Sequence, residues 1–446
     1  MQIKRLLLMA LSAVALQSTA RDKIDLSPLA WDITLDPQAQ WANDKLFTPP
    51  VTMASLPVNL PTGGWQLLDH PQKTGVHLPA TVEGEMWGWN GQTYGVTGNY
   101  VGVSWFRTQV DVPANWQGKR IALQFDAVRF RAEIFVNRQL VGYDLVNSTP
   151  FEVDITPYAK VGQKNEVAVR ITDPNGNFNW KDSQCYAWGA YLTNPSHGFG
   201  GITGRVHLVA TDNTFIRDMF VENTPAASTV KVHIAAEGVK QATPLKLELR
   251  ERGSNKVVWS RQEQMDGSEK TLTLSLPQAK LWSVEEPNLY ELTAKLGNDE
   301  LTQRFGFRWF EVRDVKGDRQ FYLNGKRITL ITAISWSFWP DNGITPSREL
   351  AYKQVRDAKQ LGMNMLNFHR TIGNTDVLNA ADELGLLYFE EPGGNQYPAN
   401  KFDDGTDYTQ FYFNYRNEKL ARMIRRDRSH PSLVIYNLHN ERGASP

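Results

Sequence analysis

The chain has 446 residues, enough for about three domains at ~150 residues each. Apolar residues make up 41% and charged residues 22%, the balance of a folded chain and not of a disordered one. Basic and acidic residues cancel at 48 each, and the one dense basic run, Arg422, Arg425, Arg426 and Arg428, falls on a helical pattern, where it reads as a solvated or salt-bridged face. That leaves no phosphate-binding footprint and no nucleic-acid partner.

Residues 1–20 have the layout of a signal peptide. Lys4 and Arg5 form a charged start, and Leu6 to Leu16 is an apolar run too short to cross a bilayer. Ser18-Thr19-Ala20 offers small residues for cleavage before Arg21. The expected location is periplasmic or secreted, with no membrane insertion after cleavage. Cys185 is the single cysteine, so no intrachain disulfide can form and stability must come from cores; Cys185 itself reads as structural.

Residues 21–213 carry short strands separated by Pro, Gly and Asn. Trp105 to Val112, Ile121 to Phe125, Glu133 to Val136 and Val167 to Thr172 alternate with period two. A β-sandwich of this size with long irregular loops suits an all-β jelly roll. Residues 214–312 form a shorter all-β unit, with Val230 to Ile234, Leu245 to Leu249, Thr271 to Leu276 and Leu289 to Ala294 as strands. About a hundred such residues fit an immunoglobulin-like β-sandwich, without its usual cysteine pair.

Over residues 313–446 the period changes. Ile328 to Ile334 reads as a continuous apolar strand. Ser347 caps a helix whose Ala351, Val355, Ala358 and Leu361 share a face. Met363 to Phe368 is a second strand. A helix marked by Val377, Ala380, Ala381 and Leu384 follows, then a third strand, Leu386 to Phe389. A long helix through Leu420, Met423 and Ile424 leads to a fourth strand, Leu433 to Leu438. Buried strands alternating with helices predict a parallel sheet, here the first half of a (β/α)8 TIM barrel. A half barrel leaves a strand edge unpaired, so the natural polypeptide is expected to continue past Pro446.

In such a barrel the side chains at strand C-termini face the site. Those positions hold Ser335, Trp336, Trp339 and Asp341, then Asn367, His369 and Arg370, then Glu390 and Glu391, and finally His439, Asn440 and Glu441. Amides and carboxylates to bind hydroxyls, rings for stacking and acids for catalysis are the equipment of a sugar site. Glycosidic cleavage needs two carboxyl groups, and Glu441 is the candidate acid/base. Of Glu390 and Glu391, one is expected to bind substrate and the other to be a structural salt-bridge partner. No metal-ligand spacing or phosphate-binding glycine loop occurs, so no cofactor and no metal are expected.

The run Arg425-Arg426-Asp427-Arg428-Ser429-His430-Pro431-Ser432, followed by Leu433 to Leu438 and then His439-Asn440-Glu441, resembles the acid/base signature of glycoside hydrolase family 2. That family includes β-galactosidases, β-glucuronidases and β-mannosidases. Further likeness lies in Phe125 to Asn137, Thr149 to Thr156, Gly200-Gly201-Ile202-Thr203-Gly204, Arg304-Phe305-Gly306-Phe307-Arg308, Phe321 to Lys326 and Ala381-Asp382-Glu383-Leu384-Gly385. The resemblance implies retaining hydrolysis of β-linked sugars at non-reducing ends. It makes Glu441 the acid/base and Asn440 a ligand of the sugar 2-hydroxyl, and places Glu391 where the family commonly has a glutamate on strand three. From the strand ends, His369, Glu391, Trp336 and Asn367 are expected to bind substrate beside Asn440. The chain departs from the family at Asn367, near a common arginine position, and at Ile331-Thr332, where an Arg-Gly pair is usual. The nucleophile, which the family places on the seventh strand, has no counterpart here, so this chain alone is expected to be inactive. The expected partner is an oligosaccharide or glycoside substrate, with a homo-oligomer left open. The alternative reading is a non-catalytic secreted carbohydrate-binding protein with a degenerate barrel.

Overall fold

The computed structural model describes residues 21–86, 100–175, 186–193, 198–336, 339, 345–393, 409–438 and 440. The leader, Cys185, Asp341, His439 and Glu441 lie outside the described residues.

The first unit is two antiparallel sheets packed face to face. A four-stranded sheet runs in the order Asp22–Asp25, Val206–Thr211, Arg120–Phe125, Phe151–Asp154. A six-stranded sheet runs Lys73–Val76, Trp31–Asp36, Gly102–Asp111, Lys164–Asp173, Arg131–Val136, Gln139–Asp144. Their inner faces share one core, with Trp31, Ile33, Phe106, Ile134 and Val169 from the larger sheet meeting Ile121, Leu123 and Leu208 from the smaller. The central strand Gly102–Asp111 is buried on both faces over most of its length, because Trp105 on its outer side packs with Leu68 and Phe135 in a satellite cluster.

The second unit pairs a three-stranded sheet (Phe215–Asn223, Thr229–Glu237, Glu269–Ser275) with a four-stranded one (Val257–Met265, Thr243–Glu251, Tyr290–Leu296, Asp299–Phe305). Here the alternation is clean: Val230, Val232, Ile234 and Ala236 point inward while Lys231 and Glu237 are exposed. One inner face meets the core and the other meets solvent, which is what a period-two strand requires.

A small sheet, Phe310–Val315, Asp318–Leu323 and Lys326–Arg327, leads into four parallel strands: β1 (Thr332–Ser335), β2 (Met365–Phe368), β3 (Leu387–Glu390) and β4 (Leu433–Tyr436), paired in sequential order. Helices α1 (Arg348–Gln360), α2 (Thr375–Leu384) and α3 (Thr409–Asp427) lie between them. Register partners alternate in the face they present. Ala333, Leu366, Tyr388 and Leu433 pack with Ala351 and Val355 of α1 and Val377 and Ala381 of α2. Ile334, Asn367, Phe389 and Ile435 form a row on the opposite face.

Ser347 caps α1 as expected, its Oγ accepting from Leu350 N at 3.2 Å. Leu361 does not share the buried face. The helix ends at Gln360, and Leu361, turned outward at the C-cap, is 74% exposed. The first strand is also shorter than its apolar run. Ile328 and Leu330 lie before it and pack in a cluster with Trp282 and Leu323, and Ile331 and Ile334 are exposed. The fourth strand stops at Tyr436, and Leu438 is exposed. Apolar content alone could not locate these ends, because the same residues serve a strand, a plug and an open face.

Two interfaces lock the parallel sheet to the sandwiches. Trp282, fully buried, donates Nε1–H to Asp382 O at 2.8 Å, and Arg308 donates to the carbonyls of Pro431 (3.0 Å) and Leu433 (2.8 Å). Gly385 ends α2 at φ +76°, and a side chain there would meet Val284 O at 2.3 Å, so glycine is required twice over. On the other side, Arg422 of α3 pairs with Asp144 at 2.8 Å, and Tyr415 donates to Asn147 Oδ1 at 2.8 Å. Arg428 reaches Asp218. Arg422, Arg426 and Arg428 of the basic run thus make ion pairs, and those of Arg422 and Arg428 tie α3 and the residue after it to the two sandwiches.

Candidate active site

The site is assembled from the residues that follow the C-terminal ends of all four parallel strands. Trp336 follows β1. His369 and Arg370 follow β2, with His369 N donating to Ser335 O at 2.9 Å. Glu391 follows β3, and Asn437 and Asn440 follow β4.

These side chains form a connected chain of contacts. Glu391, fully buried, has Oε1 3.4 Å from His369 Nδ1 and accepts from Asn437 Nδ2 at 3.4 Å. The His369 ring meets Trp336 edge to face, with centroids 4.4 Å apart. The Arg370 guanidinium lies over the other end of this group, 5.8 Å from the Trp336 ring centroid. One end of the Asn440 amide lies 2.8 Å from Arg370 Nε and 3.2 Å from Nη2; because a guanidinium only donates, that end is assigned as the oxygen, which accepts from both. Five of the residues named from sequence or placed on the rim thereby converge: Trp336, His369, Arg370, Glu391 and Asn440.

Others do not. Asn367 sits one layer down, in the row between Ile334 and Phe389, where its buried Oδ1 has no hydrogen-bond partner among the described residues. Ser335 faces α1 and accepts from Gln354 Nε2 at 2.9 Å, and Trp339 is buried in the helix-side core. Neither is presented to the rim. Glu390 turns away from its neighbour. Its Oε1 accepts from Gly373 N at 2.7 Å and lies 3.3 Å from Arg426, which also pairs with Asp427 at 2.6 Å. Burial and the Asp427 carboxylate hold the Glu390 acid well above its usual range, with Arg426 pulling the other way.

Asn437 was hidden within an apolar run that reads as strand. In the fold the strand has already ended, and Asn437 N donates to Glu390 O at 2.8 Å while its side chain turns to Glu391. Two of the strings that carry the family resemblance also meet. Asp382 of Ala381-Asp382-Glu383 accepts from Ser432 Oγ at 2.6 Å and from Ser432 N at 3.1 Å. Its other oxygen lies 2.6 Å from His430 Nδ1 and 3.0 Å from Arg304. The His-Pro-Ser turn that aims β4 is therefore pinned by a buried carboxylate whose pKa these partners lower against the cost of burial.

Among the described residues no group of three or more His, Cys, Asp or Glu is arranged to hold a metal ion. The arrangement offers instead an amide, a carboxylate, an imidazole and an indole around one rim, suited to a polyhydroxylated ligand.

Comparison with known proteins bears on the two sandwiches and on the fold. Residues 30–207 match the sugar-binding domain of glycosyl hydrolases family 2, and residues 214–308 match a second model described as glycosyl hydrolases family 2. A beta-galactosidase of Thermoanaerobacter pseudethanolicus is 28% identical over 363 residues, covering 76% of this chain and 44% of the relative. A beta-glucuronidase of Bacteroides fragilis is 24% identical over 379 residues, covering 76% of this chain and 50% of the relative. The chain thus spans half or less of either relative. Among solved structures, Bacteroides uniformis beta-glucuronidase 2 superposes with a TM-score of 0.71 at 22% identity, covering 94% of this chain and 47% of that one. A beta-glycosidase from Bacteroides vulgatus gives a TM-score of 0.69 at 21% identity, covering 95% and 51%. Those likenesses speak for the fold, and the family models, matched in sequence across both sandwiches, speak for descent: the chain belongs to glycoside hydrolase family 2.

Proposed function

We propose that this chain is the N-terminal portion of a retaining β-glycosidase that releases β-linked sugars from non-reducing ends. In this reading residues 21–213 and 214–312 are the two sandwiches, and residues from 313 onward begin a (β/α)8 barrel that a continuation of the polypeptide completes. The observation that carries it is the convergence of Trp336, His369, Glu391 and Asn440 at the C-terminal ends of parallel strands. Ile334, in β1 at the edge of the four-stranded sheet, is more than half exposed, which supports further strands packing there.

Glu441, next to Asn440, protonates the glycosidic oxygen as the bond breaks and later takes a proton from the attacking water. A second carboxylate about 5–5.5 Å away forms the glycosyl-enzyme bond and is released by that water. It comes from beyond residue 446. Glu391 and Asn440 bind sugar hydroxyls, and Trp336 packs on an apolar face of the ring.

The test is hydrolysis of an aryl β-glycoside panel by the full polypeptide. Glu441→Gln should lower turnover by roughly 10²–10⁴-fold, less for leaving groups of low pKa that need no proton. The 446-residue chain alone should not turn over. Glycan binding without cleavage by the full polypeptide would instead favour the non-catalytic binding protein.

A further inference from the structure

We propose that Arg370 is a positioning residue that fixes which end of the Asn440 amide faces the sugar. An asparagine amide has two ends of nearly the same shape, one accepting and one donating. A guanidinium only donates. With Nε and Nη2 of Arg370 both on one side of Asn440, at 2.8 and 3.2 Å, the oxygen is held toward Arg370 and the NH2 is turned the other way. The reversed amide would set donors against donors in a buried setting, where both residues are less than a tenth exposed.

Arg370 is itself held on more than one side. Its backbone is left-handed at φ +60°, uncommon for a residue with a side chain, and its guanidinium lies over Trp336, whose ring is braced edge-on by His369. The planar fork meets Asn440 with two donors, which a lysine could not reproduce. Asn440 can therefore only donate to the substrate, and the sugar oxygen it meets must accept. This rests on the reading above that Asn440 faces the 2-hydroxyl. It adds that a residue outside that contact determines its polarity.

The test uses the full polypeptide with Arg370→Lys, Arg370→Ala, Asn440→Ala and the double variants, on an aryl β-glycoside and its 2-deoxy analogue. Arg370→Ala should lower kcat/KM on the parent glycoside by roughly 10- to 100-fold, mostly in kcat. The preference for the 2-hydroxy over the 2-deoxy substrate should collapse to that of Asn440→Ala. In the Asn440→Ala background the Arg370 change should cost little more, and Arg370→Lys should restore only part of the loss. Equal losses on both substrates, or losses that multiply in the double variant, would overturn the proposal. A readout independent of turnover is the Asn440 side-chain amide resonance of the ¹⁵N-asparagine-labelled protein, assigned by its loss in Asn440→Ala. In Arg370→Lys its exchange with solvent should quicken and its line change; an unaltered resonance would sink the proposal. If the wild-type protein cleaves no glycoside, the reading of function fails, and the resonance still decides the role of Arg370.

Discussion

Glu390 and Glu391 are adjacent in the chain and serve opposite sides of the strand they end. Glu390 accepts from Gly373 N at 2.7 Å and meets Arg426 on the helix side, while Glu391 meets His369 and Asn437 on the rim. Alternation of side chains about a strand turns two identical residues into a structural acid and a site carboxylate.

Their substitutions should separate accordingly. Glu391→Gln should lower kcat/KM of the full polypeptide by at least about tenfold with little change in Tm, since the amide keeps an acceptor for Asn437 Nδ2. Glu390→Gln should keep turnover within a few-fold, because the amide preserves the acceptor for Gly373 N–H. Glu390→Ala, which leaves that donor unmatched and removes one of the two carboxylates that meet Arg426, should cost about 2–3 kcal/mol in urea unfolding.

Asp382→Asn should destabilise the joint between the immunoglobulin-like sandwich and the parallel sheet by about 2–4 kcal/mol, because His430, Ser432 and Arg304 all converge on that carboxylate. Its folded pKa is lowered from the ordinary 3.8. The stability it contributes is therefore present above about pH 3.8 and is lost as pH falls through the folded value. Acid unfolding of Asp382→Asn should show less of that loss, measured by calorimetry from about pH 5 down to about pH 2.

Arg422→Ala should cost about 3 kcal/mol, since it leaves Asp144 buried without its cation. Burial already pushes Asp144 up to about 6 in spite of Arg422. Adding Asp144→Asn to Arg422→Ala should recover part of the loss, and a double-mutant cycle in urea should give a coupling of at least about 1 kcal/mol.

Glu83, buried beside Asp173, has its acid raised to about 8 by burial first and by that carboxylate second. Folding then favours the protonated form, so its contribution is fully present below pH 4.5 and is lost as pH rises through about 8. Glu83→Gln keeps the acceptor for Tyr100 N, now 2.6 Å from Oε1, without the ionisable proton. Its Tm should exceed that of the wild type by a few degrees at pH 9 and match it near pH 4.

Much of this protein is legible in one dimension. Period-two strands such as Thr229–Glu237, the Ser347 cap and the helix-to-strand alternation from Arg348 to Tyr436 follow from local rules of burial and backbone geometry. So does the family, because the His430-Pro431-Ser432 turn and Ala381-Asp382-Glu383 are recognisable as strings, and the fold shows them bonded to each other through Asp382. Tertiary structure alone decided the rest. It separated Glu390 from Glu391, took Ser335 and Trp339 out of the rim, ended the fourth strand before Asn437 and set the guanidinium of Arg370 on the amide of Asn440. A sequence records which side chains can accept, donate or stack; which of them meet depends on where strands end and which face each residue turns, and those are settled by packing between segments far apart in the chain.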